Sequence, residues 1–442
     1  KLTSEMKDKN KNVKFQSKDI KSSFTGSRMT LYSGLAPIMK FFNKDNITKE
    51  LNQLFPTKDY SSLKFSKVQL MMSVIMASLS GIHRLTRIAS FTHDELVKAL
   101  LGLKKGLNKD VISTCFKMLG QRGAVILHEY SLKKVRTWLS KSLLRSITID
   151  VDSTVFTVYG NQDGAAKGYN KVNKGAKSYH CLLGFCSQMK LIVNSWFRTG
   201  SAYTSNGIVD FTKQIAVTLP GKISNVFYRA DSGFFNGKLF DLLEELNWKY
   251  LIKVKFKGMK ERFKSLDWTA IDKKGHICIS EFEYKAASWS KSRIVKVIRT
   301  IEKWEQREFF GQTQMIPVYQ YACYCSNLED KTALELHDIY KERSTSETWI
   351  EQVKSQLLAG KTLTSDFHAN DILWQLSIMA YNLSVVMRYK VKKIFRQEHA
   401  TFRNWFINVA ARITYSGRYI KQHLYEHYYE REKWEKFSIQ LE

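Results

Sequence analysis

The chain has 442 residues, 44% hydrophobic and 13% aromatic, which is enough apolar material for two or three domains and excludes wholesale disorder. Seventy Lys and Arg against 41 Asp and Glu give a net charge of +29, spread from Lys1 to Arg431, so a polyanionic partner explains the composition more economically than a merely solubilising surface. Six cysteines form no CxxC pair, and the most apolar stretch, Val68 to Ile82, is too short and too Ser-interrupted to span a bilayer; both point to a reduced, cytoplasmic setting without a membrane.

In chain order, residues 1–33 are rich in Lys, Ser and Asn and read as a basic mobile arm. Residues 34–145 have helical periodicity in short basic elements, a region suited to DNA binding or dimerisation. At 146 the texture changes. "SITIDVDSTVFTVYG" alternates, with Ile147, Ile149 and Val151 on one face and Thr148, Asp150 and Asp152 on the other. Two more strands follow, then alternating helices and strands to about 255, so residues 146–255 describe a mixed α/β sheet. Residues 256–335 lose the helical signal and read as a β-rich insertion. Helix returns over 336–400, and 401–442 are expected to form a basic helical tail. The fold class predicted is thus a multidomain α+β or α/β protein.

Two carboxylates fall at expected strand ends: Asp152 in "DVDST" and Asp231 in "RADSGF". Asp150 shares the face of Asp152 and competes with it; Asp152 is preferred because it borders an expected turn at Ser153 and Thr154. A third carboxylate, Glu347, lies in "YKERSTSETWIEQVK". On a helix, at about 100° per residue, Tyr340, Arg343, Glu347 and Lys354 fall within roughly 60° of one another. Ile350, Val353 and Leu357 occupy the adjoining, inward-facing sector. Three convergent carboxylates in so basic a chain suit divalent cations, with nucleic-acid phosphate completing the coordination shell.

The spacing of Tyr340, Arg343, Glu347 and Lys354 resembles the Tyr-Arg-Glu-Lys signature of a large group of bacterial insertion-sequence transposases. "DSTVFTVYGNQDGAAKGYN" and "YRADSGF" resemble the first and second aspartate regions of one branch of that group. The likeness spans roughly residues 60 to 425 and implies an RNase H-like core interrupted by the β-rich insertion. It further implies a catalytic triad of Asp152, Asp231 and Glu347 holding two Mg²⁺ ions, for which Mn²⁺ substitutes. Tyr340, Arg343 and Lys354 would contact DNA. The implied activity is cleavage at the terminal inverted repeats of an insertion sequence and joining of the 3′-OH to target DNA, by a homodimer acting on double-stranded DNA at the nucleoid. A nuclease or resolvase without strand transfer, and a catalytically silent domesticated DNA-binding protein, are the alternatives. In some relatives an insertion tryptophan stacks on an extruded base; Trp268, Trp289 and Trp304 are the residues available here, and core packing is the commoner role.

Overall fold

The computed structural model describes residues 22–56, 65–168, 170, 173–255, 259–391, 397–417 and 419–442. Most of the expected basic arm lies outside these residues. A short strand, β1 (Arg28–Thr30), precedes helices α1 (Leu35–Lys44), α2 (Ile47–Leu54), α3 (Lys67–Leu79), α4 (Leu85–Phe91), α5 (Glu95–Leu101) and the long α6 (Lys109–Lys141). A capping box between Ser66 and Gln69 starts α3, which is apolar nearly all round and therefore buried along its length. Gly120, at φ 53°, breaks the ladder inside α6, a conformation open to glycine at little cost.

The sheet follows, from β2 (Ser146–Thr157), β3 (Ala166–Lys167), β4 (Lys177–Cys186), β5 (Leu191–Trp196), α7 (Ile208–Thr218), β6 (Asn225–Ala230), α8 (Gly237–Glu245) and β7 (Lys249–Lys253). Spatially these strands run β5-β4-β2-β6-β7, with β4 antiparallel to β2 and β5, and with β6 and β7 parallel to β2. That is the order and polarity of an RNase H-like sheet. The short helix α9 (Lys260–Lys264) and strands β8 (Thr269–Ala270), β9 (Ile277–Tyr284), β10 (Arg293–Phe309) and β11 (Gln312–Ser326) make up the insertion. It extends the same sheet, because β11 pairs antiparallel with β7 through Tyr324 and Lys253, Cys325 and Ile252, and Ser326 and Leu251.

After the insertion come α10 (Ala333–Lys341), α11 (Ser344–Glu351) and the long α12 (Phe367–Lys390), then α13 (His399–Phe402), β12 (Ala411–Ser416), β13 (Tyr419–Leu424) and α14 (Arg431–Leu441). The tail expected as helical thus carries a hairpin, and β12 pairs with β1 to form a separate three-stranded sheet. One apolar cluster runs from Leu35 in α1 through the strands to Leu441 in α14, so the N-terminal helices share their core with the sheet.

The buried helix α12 joins these layers, packing against α6, α3 and β5. Its Asn382 is fully buried; the side-chain oxygen accepts from the Ile192 N–H and the side-chain amide donates to the Ile192 carbonyl, both at 2.9 Å. Asn382→Leu should strand both backbone groups of β5 and lower stability by roughly 2–4 kcal/mol in a urea titration. A change within about 0.5 kcal/mol, the range of ordinary surface substitutions, would mean the pair is not a fastening point.

Candidate active site

The register between β2 and β6 builds the site. Their parallel pairing ends at Val151 and Ala230, so the next residue on each strand, Asp152 and Asp231, emerges where the two strands part. β2 itself continues to Thr157. The turn expected at Ser153 and Thr154 is absent, because these residues stay paired to β4 through Leu182 and Cys181. Asp152 therefore reaches the site from the loss of one neighbouring strand, not from a turn.

Asp150 takes a different role. It is fully buried, Arg229 donates to its two oxygens at 2.8 and 3.0 Å, and the Ser187 hydroxyl donates at 2.5 Å. Arg229 also donates to the Ile339 carbonyl at 2.9 Å and to Glu342 at 3.1 Å. This network fastens the end of α10 to the middle of the sheet.

Asp152, Asp231 and Glu347 line one cavity of about 1370 Å³, together with Tyr340, Arg343 and Lys354. Asp152 lies close under the wall: Oδ2 is 2.8 Å from Arg343 Nη2, and Oδ1 accepts from the Ser153 N–H. Burial pushes its carboxyl pKa up; Arg343 pulls it back, and the charge of Asp231 adds to the upward push. Asp231 Oδ1 accepts from the Gly233 N–H at 2.8 Å, which caps the turn Ser232–Phe234. Glu347 stands exposed on α11 at the cavity rim.

The predicted polar stripe converges on this cavity, but not along one regular helix. Tyr340 lies in the last turn of α10, Arg343 precedes α11, and Lys354 lies in the wider π-type turns of Gln352–Gln356. Tight bonds from Arg343 N–H to the Tyr340 carbonyl and from Ser346 N–H to the Arg343 carbonyl make the bend. The bend turns Arg343 inward, where it is only 5% exposed and also donates to the Val151 carbonyl at 3.1 Å. Burial opposes its charge, yet Asp152, Tyr340 and Asp231 raise its pKa above the usual arginine value. Burial likewise pushes the Tyr340 phenol up to about 12, so it remains a donor. Ile350, Val353 and Leu357 are buried, as their sector predicts.

Sequence reasoning passed over Lys253 and Lys255, which also line the cavity. Their alternation in "YLIKVK" places both on one side of the chain leaving β7, and this was the available signal. A close approach holds the opposite wall: a Cβ at Gly200 would stand 1.9 Å from the Ser178 carbonyl oxygen, and the loop that follows supplies Tyr203, Thr204, Ser205 and Asn206 to the lining. Of the three insertion tryptophans, Trp289 is buried against Phe235, Phe240 and Tyr284. Trp268 donates to the Phe263 carbonyl and stacks on Arg299, while Trp304 is half-exposed on β10.

The donor chemistry fits a hard divalent cation, since the second oxygen of Asp231 and the Glu347 carboxylate face the cavity without a hydrogen-bond partner among the described residues. Those residues contain no cluster of three or more His, Cys, Asp or Glu side chains already closed to ligating distance. Arg343 occupies the oxygen that Asp152 would offer.

Residues 12–442 match the family described as transposase DDE domain group 1. The chain belongs to this family. Among solved structures, this DDE transposase chain is similar to a piggyBac transposase synaptic complex with hairpin DNA, at 12% identity over 86% of this chain and 81% of that one, with a TM-score of 0.47. It is also similar to a Mos1 transposase paired-end complex with the left transposon end, at 13% identity over 40% of this chain and 57% of that one, with a TM-score of 0.18. No curated protein matches the chain. No helix among the described residues is long and apolar enough to cross a membrane.

The different settings of the two β2 aspartates predict different costs. Asp150→Asn should leave Arg229 buried and half-paired, at a cost on the order of 3 kcal/mol. Asp152→Asn should also cost stability, because it weakens the partner of the buried Arg343, but less than Asp150→Asn, because Asp152 takes one guanidinium contact where Asp150 takes two and burial already raises its own pKa. Denaturant titrations of both variants decide this, and equal losses would contradict the separation of roles.

Proposed function

We propose that this DDE transposase binds the terminal inverted repeats of an insertion sequence, cleaves the transposon ends by metal-dependent phosphodiester hydrolysis and joins the 3′-OH to target DNA. One observation carries the reading: Asp152 and Asp231 emerge side by side where β2 and β6 part, and Glu347 faces the same lysine-lined cavity. Asp152, Asp231 and Glu347 would hold two Mg²⁺ ions, for which Mn²⁺ substitutes. Bound there, the ions supply Lewis-acid charge at the scissile phosphate and lower the pKa of the attacking water.

The remaining groups bind and orient. Lys354, with its ammonium 6.0 Å from the Phe156 ring centroid, and the two β7 lysines offer cations to backbone phosphates, while the Tyr340 hydroxyl offers a donor. Arg343, expected among the DNA contacts, serves first as the internal counter-ion of Asp152. The active species is a homodimer bridging two ends, working in the cytoplasm on nucleoid DNA.

The test uses labelled DNA from the ends of the element that encodes the chain, with Mg²⁺ or Mn²⁺, scored for nicking and joining. Asp231→Asn and Glu347→Gln should each lower nicking by more than about a hundredfold while DNA binding persists, and excess Mn²⁺ should restore part of the loss in Glu347→Gln by mass action. Undiminished nicking in either variant would remove it from the triad; nicking without joining under every condition would favour a nuclease or resolvase. In a salt titration of binding, Lys354→Ala should reduce the slope of log affinity against log salt by about one. Arg343→Ala should leave the slope unchanged, because its guanidinium is turned away from solvent. The opposite order would return Arg343 to the phosphate.

A further inference from the structure

The small sheet that joins the two ends of the described chain has two unlike faces. Antiparallel partners share a face, and one face is inward: Thr30, Ala411 and Ile413 are each at most 3% exposed. The other face carries Met29, Arg412 and His423 in one row across the three strands, then Thr414 beside Lys421, and Ser416 beside Tyr419. Arg412, Lys421, His423 and Tyr419 are all exposed on it, and the Thr414 hydroxyl lies 2.9 Å from a ring nitrogen of His423. Among the described residues this face holds no carboxylate. On the β10–β11 ribbon, by contrast, the exposed cations have a carboxylate partner: Lys303 and Arg307 both pair with Glu305, at 2.7 and 3.4 Å.

We propose that this face is a second DNA-contacting surface, distinct from the acidic cavity, which takes the phosphate backbone of duplex DNA. The inference rests on the transposase reading and extends it to the C-terminal hairpin. Charge complementarity selects the partner, because Arg412 and Lys421, on neighbouring rows with no carboxylate beside them, repel a second copy of a strongly basic chain and attract a polyanion. The other side chains present, Thr, Ser and Tyr hydroxyls, are donors that commonly hold phosphate oxygens. Spacing agrees: Arg412 and Thr414, two residues apart on one strand, are about 6.7 Å apart, close to two of the roughly 3.4 Å rises between successive nucleotides of one strand. Cations and hydroxyls of this kind hold phosphate oxygens, which carry no sequence information, so the contact should be indifferent to sequence.

The test measures fluorescence anisotropy of the full chain with a labelled random-sequence duplex and with the corresponding single strand, across a salt series. Arg412→Ala/Lys421→Ala should lower duplex affinity about tenfold or more at low salt and reduce the salt slope by roughly two, with an unchanged thermal melt. Lys303→Ala/Arg307→Ala, which removes the self-neutralised pair, should leave the slope unchanged. An unchanged slope in the Arg412/Lys421 variant overturns the inference, and so does a loss confined to the single strand, which would place single-stranded and not duplex DNA on this face. If the wild-type chain binds no duplex at all, the transposase reading falls with it. If the wild type binds and the variant binds equally, only the surface assignment fails.

Discussion

Two arginines fasten a helix bend onto the middle of one strand, where its parallel neighbour ends, and the geometry of the site depends on that fastening. Arg229 lies beside Asp150 in the register of β6 and β2 and reaches out to the Ile339 carbonyl and Glu342. Arg343 approaches from the bend itself and holds Asp152 and the Val151 carbonyl. Between them they bring Tyr340, Glu347 and Lys354 to the point where β2 and β6 separate. A buried guanidinium with several acceptors suits this task, since its fixed fork can bridge a carboxylate and a carbonyl at once.

The same arrangement explains how acidic groups persist in so basic and so buried a setting. Asp150 is satisfied on every side and serves the fold. Asp152 is only partly satisfied: burial outweighs the attraction of Arg343, and its pKa rises. A carboxylate left short of positive charge beside a second one is poorly stable alone and well placed to take up a cation. The lysines around the cavity stand further out, where a polyanion would meet them.

Much of the fold was legible in the sequence because its signals are local. The alternation of Ile147, Ile149 and Val151 announces β2, and the inward sector of Ile350, Val353 and Leu357 announces the packed side of the late helix. Asp152 and Asp231 were grouped from their shared place at expected strand ends and then by family resemblance, but the adjacency itself was not legible from pattern, since it depends on parallel pairing of strands far apart in the chain. The partner of Arg343 was not legible for the same reason: helical spacing places a side chain on a stripe but does not show Asp152 waiting on another strand. The hairpin at Ala411–Leu424 was missed although "RITYSGRYIKQ" carries β-branched and aromatic residues around a Ser-Gly turn; its basic, aromatic composition was read as helix where turn chemistry spoke against it.

The central claim is that Asp152, Asp231 and Glu347 act together on a divalent cation beside DNA. Anomalous diffraction from crystals grown with Mn²⁺ and transposon-end duplex measures this most directly. The account predicts manganese density between Asp152 and Asp231 within reach of Glu347, with Asp152 Oδ2 transferred from Arg343 to the metal. Manganese bound elsewhere, or an Asp152–Arg343 pair left intact beside a scissile phosphate with no metal density at the three carboxylates, would contradict it.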